Sequence, residues 1–140
     1  MLEKYYNQKI RYKDYVILIK CGSFYESFEK DALIINTLLK YKIKKFSKTF
    51  KSGFPTLKLN VILKILEENH LNYVVLDEIE MIKKEFDDNK YQNFNFDIDR
   101  IMLNYIKIDK IMNYLNDNIL NERITDILEK MEELLWRIIW

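Results

Sequence analysis

Two short, nearly unbroken apolar runs constrain this chain most: Tyr15 to Lys20, built on Val16-Ile17-Leu18-Ile19, and Asn72 to Asp77, built on Tyr73-Val74-Val75-Leu76. A strand with no polar alternation is expected at the centre of a sheet, covered on both faces. Three amphipathic segments can supply the cover. Leu2 to Tyr12 has the pattern of a short helix, with Tyr5 or Tyr6 and Ile10 toward the core. Ser27 to Lys40 carries Phe28, Ala32, Ile35 and Leu39 at helical spacing. Leu57 to Asn69 places Leu59, Ile62, Leu63 and Leu66 on one face. The expectation is an α/β fold.

Between the first run and the second helix lies Cys21-Gly22-Ser23-Phe24-Tyr25-Glu26, a predicted strand-to-helix junction where backbone N–H groups are free to meet a ligand. Two accounts of it stand side by side. Ser23-Phe24-Tyr25-Glu26 fits a capping box, with serine on the third amide and glutamate reaching back, and Phe24 and Phe28 then both face the core. Alternatively the aromatics and the carboxylate are presented to a partner.

Farther on, Tyr41 to Lys51 is strand-like but out of phase, and six lysines crowd it: Lys40 just before it, then Lys42, Lys44, Lys45, Lys48 and Lys51 within it. An edge strand or hairpin with lysines that block further pairing is expected. Ser52-Gly53-Phe54-Pro55 is the strongest turn signal in the chain. Glu78 to Lys90 is acidic and weakly patterned, and Tyr91 to Phe96 is a candidate last strand. From Asp97 the pattern becomes two helices, one with Ile98, Ile101, Met102, Tyr105, Ile108 and Met112, the other with Ile124, Ile127, Leu128, Met131, Leu135 and Ile138. A turn at Asn116 to Asn121 makes them an αα-hairpin. It either caps the sheet or pairs with a second copy or a helical protein partner. The candidate interface is Ile124, Leu128, Met131, Leu135 and Ile138, with Trp136 and Trp140 beside it. The expected domains are therefore 1–96 and 97–140.

Composition narrows the function. The chain has 140 residues, two glycines, one proline and one cysteine. A lone cysteine forms no internal disulfide, and with no leader-like N-terminus an intracellular, cytoplasmic protein is expected. The longest clean apolar run is far short of a membrane span. His70 is the only histidine, Cys21 is expected on a buried strand, and no phosphate loop or nucleophile elbow occurs, so neither metal, cofactor nor enzyme is expected. Charge is lopsided. Residues 1–60 hold 13 Lys and Arg against 5 Asp and Glu, a balance of +8, and residues 61–140 hold 10 against 17, a balance of −7. A basic first half suits a polyanion, or is simply a solvated lysine face.

Residues 22–32, Gly-Ser-Phe-Tyr-Glu-Ser-Phe-Glu-Lys-Asp-Ala, resemble the mismatch-recognition motif of the N-terminal domain of MutS, the DNA mismatch-repair protein. Ser52-Gly53-Phe54-Pro55 resembles that domain's Ala-Gly-apolar-Pro turn before its second helix, and Asn72 to Glu78 resembles its next strand. The likeness covers roughly residues 2–96. It departs at Ser23, where the family has an acidic residue, and at Asp77-Glu78, where it has Glu-Gln. What the resemblance implies is a small mixed sheet with flanking helices that touches duplex DNA. The family's wedge phenylalanine and base-reading glutamate map to Phe24 and Glu26, next to Tyr25. Lys42, Lys44, Lys45, Lys48 and Lys51 would hold the backbone. A ring inserted at a base step exchanges base stacking for protein stacking, at least cost where pairing is defective. The chain has no room for the family's connector, lever, clamp and ATPase domains. The expected function is a stand-alone, ATP-independent accessory protein for mispaired or distorted duplex. The alternative is an interaction or oligomerisation module, for example serving a polymerase or reverse transcriptase, that keeps the fold alone.

Overall fold

A computed structural model describes residues 1–139, so the expectation for Trp140 falls outside the described residues. The strands are β1 (Val16–Cys21), β2 (Phe24–Phe28), β3 (Lys44–Phe46), β4 (Thr49–Pro55), β5 (Tyr73–Leu76) and β6 (Met81–Lys84). They form one sheet in the order β3-β4-β2-β1-β5-β6. The β1–β5 pair is parallel and the other pairings are antiparallel, so the sheet is mixed. The helices are α1 (Leu2–Arg11), α2 (Glu29–Leu39), α3 (Leu59–Glu68), α4 (Ile98–Asp117) and α5 (Ile124–Ile139). The chain divides into two compact units, Met1–Ile98 and a second from Asp99 onward.

Val16 to Ile19 and Val74 have no exposure at all, because each sheet face has its own apolar layer. Val16, Leu18, Tyr73 and Val75 pack with Ile34 and Ile35 of α2 and Ile62 and Leu66 of α3. Ile17, Ile19, Val74 and Leu76 pack on the other face with Phe28 and Tyr5 of α1. Full burial of each such side chain contributes about 1.5–3 kcal/mol. On α1 only Tyr5 is buried; Tyr6 and Ile10, the other two expected core positions, are exposed.

A polar knot fastens α1, β1 and α2 together. Asp31 is wholly buried. Its carboxylate accepts hydrogen bonds from Lys9 Nζ at 3.0 Å, Tyr5 Oη at 2.9 Å, Tyr91 Oη at 2.6 Å and the Ile17 amide at 3.1 Å. A buried carboxylate is tolerated when it is paired and its lone pairs are filled in this way.

Four sequence expectations are corrected. The segment from Ser23 to Glu26 is no helix start: Gly22 and Ser23 are the two-residue turn of a hairpin, and Phe24 begins β2. Gly22 has φ +62°, the left-handed value such a tight turn needs at its first position. Ser52-Gly53-Phe54-Pro55 is no turn but the second half of β4. The reversal lies instead between β3 and β4, where Ser47 has φ +54°. Gly53 is required for close approach, since a Cβ there would lie 3.2 Å from the Tyr25 carbonyl oxygen. Tyr91 to Phe96 is a 3-10 turn over Tyr91–Asn93 and then irregular chain, because Tyr91 is drawn down to Asp31. Cys21 ends β1 beyond the helical cover and is exposed. Strand β6 had no counterpart in the sequence expectations.

In the second unit, α4 and α5 are joined by a short turn, and Ile124 is the one buried residue among their described members. Leu135, Trp136 and Ile138 are exposed, and Leu128 and Met131 are half-buried.

Candidate nucleic-acid interface

Strand register decides which side chains meet. Cys21 pairs with Phe24, Glu26 with both Ile19 and Gly53, Phe28 with Lys51, and Lys51 with Lys44. Directly paired residues point to the same face. This is the face whose inner part, at Ile17, Ile19, Phe28 and Val74, is covered by Tyr5 of α1. Toward the turn between β1 and β2 the cover stops. What remains open is a concavity of about 500 Å³ lined by Cys21, Phe24, Glu26, Lys42, Lys44, Lys51 and Gly53.

Phe24 stands at its rim with 48% of its surface exposed, which removes the expectation of a core phenylalanine at the start of a helix. The residue two positions farther along the same face, Phe28, is fully buried. The difference follows from the end of α1's cover, not from residue type. Glu26 lies between them and is 8% exposed. Its carboxylate is ion-paired with the ammonium of Lys51. The same carboxylate, beside the Cys21 thiol, pushes that thiol's pKa up. Lys51 is held from a second side, its Nζ lying 4.3 Å from the centre of the Phe46 ring. Phe46 in turn lies 5.7 Å from Phe28, and Phe28 lies 5.1 Å from Tyr5, whose hydroxyl reaches Asp31. Rings and charges thus run without a gap from the concavity to the polar knot.

The expected site residues do not all gather here. Phe24, Glu26, Lys42, Lys44 and Lys51 line the concavity. Tyr25 points the other way, as strand alternation demands; it is 5% exposed and packs on Phe54 with ring centres 5.9 Å apart. It belongs to the core and is corrected accordingly. Lys45 pairs with Phe50 and so faces opposite to Lys44. Lys48 is exposed in the turn between β3 and β4. Three contributors escaped sequence reading: Cys21, Gly53 and the pairing of Lys51 with Glu26. Only the last had no sequence signal at all, because one lysine among six carries no mark of its register.

Among the described residues no three His, Cys, Asp or Glu side chains converge as a metal site would require, and no helix is long and apolar enough to cross a membrane. The concavity is instead an aromatic ring, a carboxylate and two ammonium groups on one sheet, with a third ammonium, that of Lys42, from the chain just before β3. Residues 1–103 match the family model for MutS domain I.

The chain belongs to the MutS domain I family.

Individual relatives agree. The DNA mismatch repair protein MutS of Thermotoga maritima is 32% identical over 80 residues, which is 57% of this chain and 10% of that protein. That of Thermosipho melanesiensis matches to the same extent, 32% over 80 residues and the same shares. That of Christiangramia forsetii is 30% identical over 84 residues. The match thus spans about a tenth of the length of these MutS relatives. The mixed sheet with helices on both faces is the fold that MutS domain I membership implies, and the concavity lies on it at the segment that carries the Phe-Tyr-Glu string.

Proposed function

We propose that this protein binds duplex DNA and recognises a mispaired or distorted base step. Phe24 enters the step as a wedge, Glu26 accepts a hydrogen bond from the displaced base, and Lys42, Lys44 and Lys51 contact phosphates. The observation that carries this reading is the exposed Phe24 ring on the same face as Glu26 and three lysines. An exposed aromatic is unfavourable in a free protein, and insertion beside an unpaired base removes it from water while restoring stacking. The lysines supply sequence-independent attraction. The recognition step as drawn uses no nucleotide, since Phe24, Glu26, Lys44 and Lys51 are held on one sheet with Lys42 just before β3, and a cytoplasmic protein working on DNA accords with it. Titrating matched and mismatched duplexes across a salt series tests the proposal. Affinity is expected to fall with salt, by about 0.9 log units per log salt for each phosphate contact, and to be higher for the mismatched duplex. Salt-independent or absent binding would refute it.

A second reading concerns the second unit, and concerns assembly. Ile101, Tyr105, Ile108, Met112 and Leu115 of α4, and Ile124, Leu128, Met131, Leu135 and Ile138 of α5, recur at alternating steps of four and three, the seam of a helical bundle. Of these, Ile108, Met112, Leu135 and Ile138 are 54%, 52%, 51% and 73% exposed. Together with Leu134 and Trp136 these faces offer on the order of several hundred Å² of apolar surface, the scale of a stable dimer's share per partner. The occupant we assign is a second copy. Glu133 lies between Lys130 and Arg137 at helical spacing, so a charged face of mixed sign marks the side of α5 that stays in water.

A further inference from the structure

Glu26 is not free to meet a base as the molecule stands. Its side chain is only 11% exposed, and the group that covers it is the Lys51 ammonium, itself 15% exposed. The same ammonium lines the concavity with Lys42 and Lys44, so it is also within the region a phosphate would occupy. One cation therefore has two competing anionic partners, the protein's carboxylate and the DNA backbone. Resting on the duplex-binding reading above, we infer that Lys51 is a specificity-determining residue that exchanges Glu26 for a backbone phosphate, so that the glutamate is released to the base only when the backbone is engaged.

The physical case rests on where the charge is left at each stage. In the free protein the Lys51–Glu26 pair is neutral, and Lys42 and Lys44 give the concavity a positive balance that attracts a polyanion. If Lys51 then turns to a phosphate, Glu26 becomes an unpaired carboxylate close to DNA, which is unfavourable. A fully paired step offers no donor in compensation, so the exchange is opposed and Lys51 stays with Glu26. A defective step opened by Phe24 offers a base donor, and the exchange is completed. Lysine suits this role better than arginine, since it is a compact point charge on a flexible stem without a fixed bidentate geometry. The register permits it, because Glu26 pairs with Gly53, which has no side chain to stand between carboxylate and concavity. The ring of Phe46 provides the cation with a fixed apolar seat, 4.3 Å away, from which to turn.

The test is a double-mutant cycle, Glu26→Gln against Lys51→Met, with Lys42→Met as the reference for a lysine that has only a phosphate to meet. Dissociation constants for matched and mismatched duplex are measured across a salt series, with thermal melts on every variant. Exchange predicts that Lys51→Met lowers the salt slope on mismatched duplex by about 0.9, as Lys42→Met does. It also predicts that Lys51→Met weakens binding more than Lys42→Met, because it leaves the carboxylate facing phosphates, and that this excess vanishes in the Glu26→Gln background. Glu26→Gln alone should tighten matched duplex by freeing Lys51. If Lys51→Met does not fold, the comparison of Glu26→Gln with Glu26→Gln/Lys51→Met, where no charge is stranded, carries the slope measurement. An unchanged slope, or an equal loss in both backgrounds, overturns the exchange and leaves Lys51 a fixed strut. Absence of salt-dependent duplex binding by the unaltered protein overturns instead the reading on which it rests.

Discussion

The Lys9 ammonium lies 3.0 Å from the carboxylate of Asp31, a side chain with no exposure to solvent, and so binds the first helix to the start of the second. Asp31→Ala removes the counter-ion of Lys9 and the acceptor of the Tyr91 hydroxyl and the Ile17 amide, while Tyr5 Oη keeps the Phe28 carbonyl and Lys9 Nζ the Tyr15 carbonyl. A destabilisation of about 3 kcal/mol is expected, at the low end for breaking a buried pair, because the half-buried cation loses its counter-ion but keeps the Tyr15 carbonyl and some contact with water. Tyr91→Phe removes one hydrogen bond to a charged acceptor and should cost about 1.5–3 kcal/mol. Urea unfolding of both variants checks the order.

The same knot predicts alkaline weakening. Burial first, then the Asp31 charge, pushes the pKa of Tyr5 and Tyr91 far up in the folded protein. Above a pH of about 10 the unfolded tyrosines ionise while the folded ones keep their protons. The unfolded state then binds fewer protons, so stability falls as pH rises. Lys9 acts in the opposite sense, since burial lowers its pKa and Asp31 only partly offsets this. Two tyrosines with large shifts outweigh one lysine. Urea midpoints measured from pH 8 to 11 should decline, and less steeply in Tyr91→Phe.

The two glycines should respond differently to alanine. At Gly22 an added Cβ meets nothing within 4 Å, so only the left-handed φ resists it, at a cost of about 1–2 kcal/mol. At Gly53 the Cβ meets the Tyr25 carbonyl at 3.2 Å and Glu26 Cγ at 3.6 Å. Gly53→Ala should therefore move β4 against β2 and alter duplex binding beyond what its stability loss explains. Gly22→Ala should change duplex binding less. Melts and duplex titrations on both variants decide this.

What the sequence disclosed followed the physics of each element. β1 and β5 were legible because full burial on two faces erases polar alternation. Helices α2 and α3 were legible from their 3.6-residue spacing. β2 was misread because a separation of four residues, Phe24 to Phe28, satisfies both the helical and the strand period, and Ser-x-x-Glu matches a capping box. Gly53 and Pro55 read as turn chemistry in the sequence, although glycine also serves close backbone approach and proline is tolerated where a strand has a free edge, as at Pro55, which pairs with Phe24 but lies beyond the reach of β3. β6 has exposed residues throughout and so no burial pattern to display. Nothing in the sequence marks Asp31 as a buried hub; its partners come from positions 5, 9, 17 and 91, which only the fold brings together.

Self-association through the second unit predicts a separable phenotype. Leu135→Glu and Ile138→Glu place charges on side chains that are 51% and 73% exposed in the single chain. They should leave the melt of the α/β unit nearly unchanged, within about 0.5 kcal/mol, and abolish association. Sedimentation over a concentration range measures it; an unaltered protein that stays monomeric at high concentration would refute the assigned second copy.

The central claim is that Phe24 is exposed in order to enter a defective base step. The most direct measurement is the ratio of mismatched to matched duplex affinity for Phe24→Ala, taken with its unfolding free energy. A fully buried phenylalanine would cost about 3–5 kcal/mol on truncation, whereas this ring, 48% exposed, should cost about half of that. The account predicts a small stability loss and a mismatch preference that collapses toward one, with salt-dependent binding to matched duplex retained through the lysines. A stability loss in the buried range, or an unchanged mismatch preference, would contradict it.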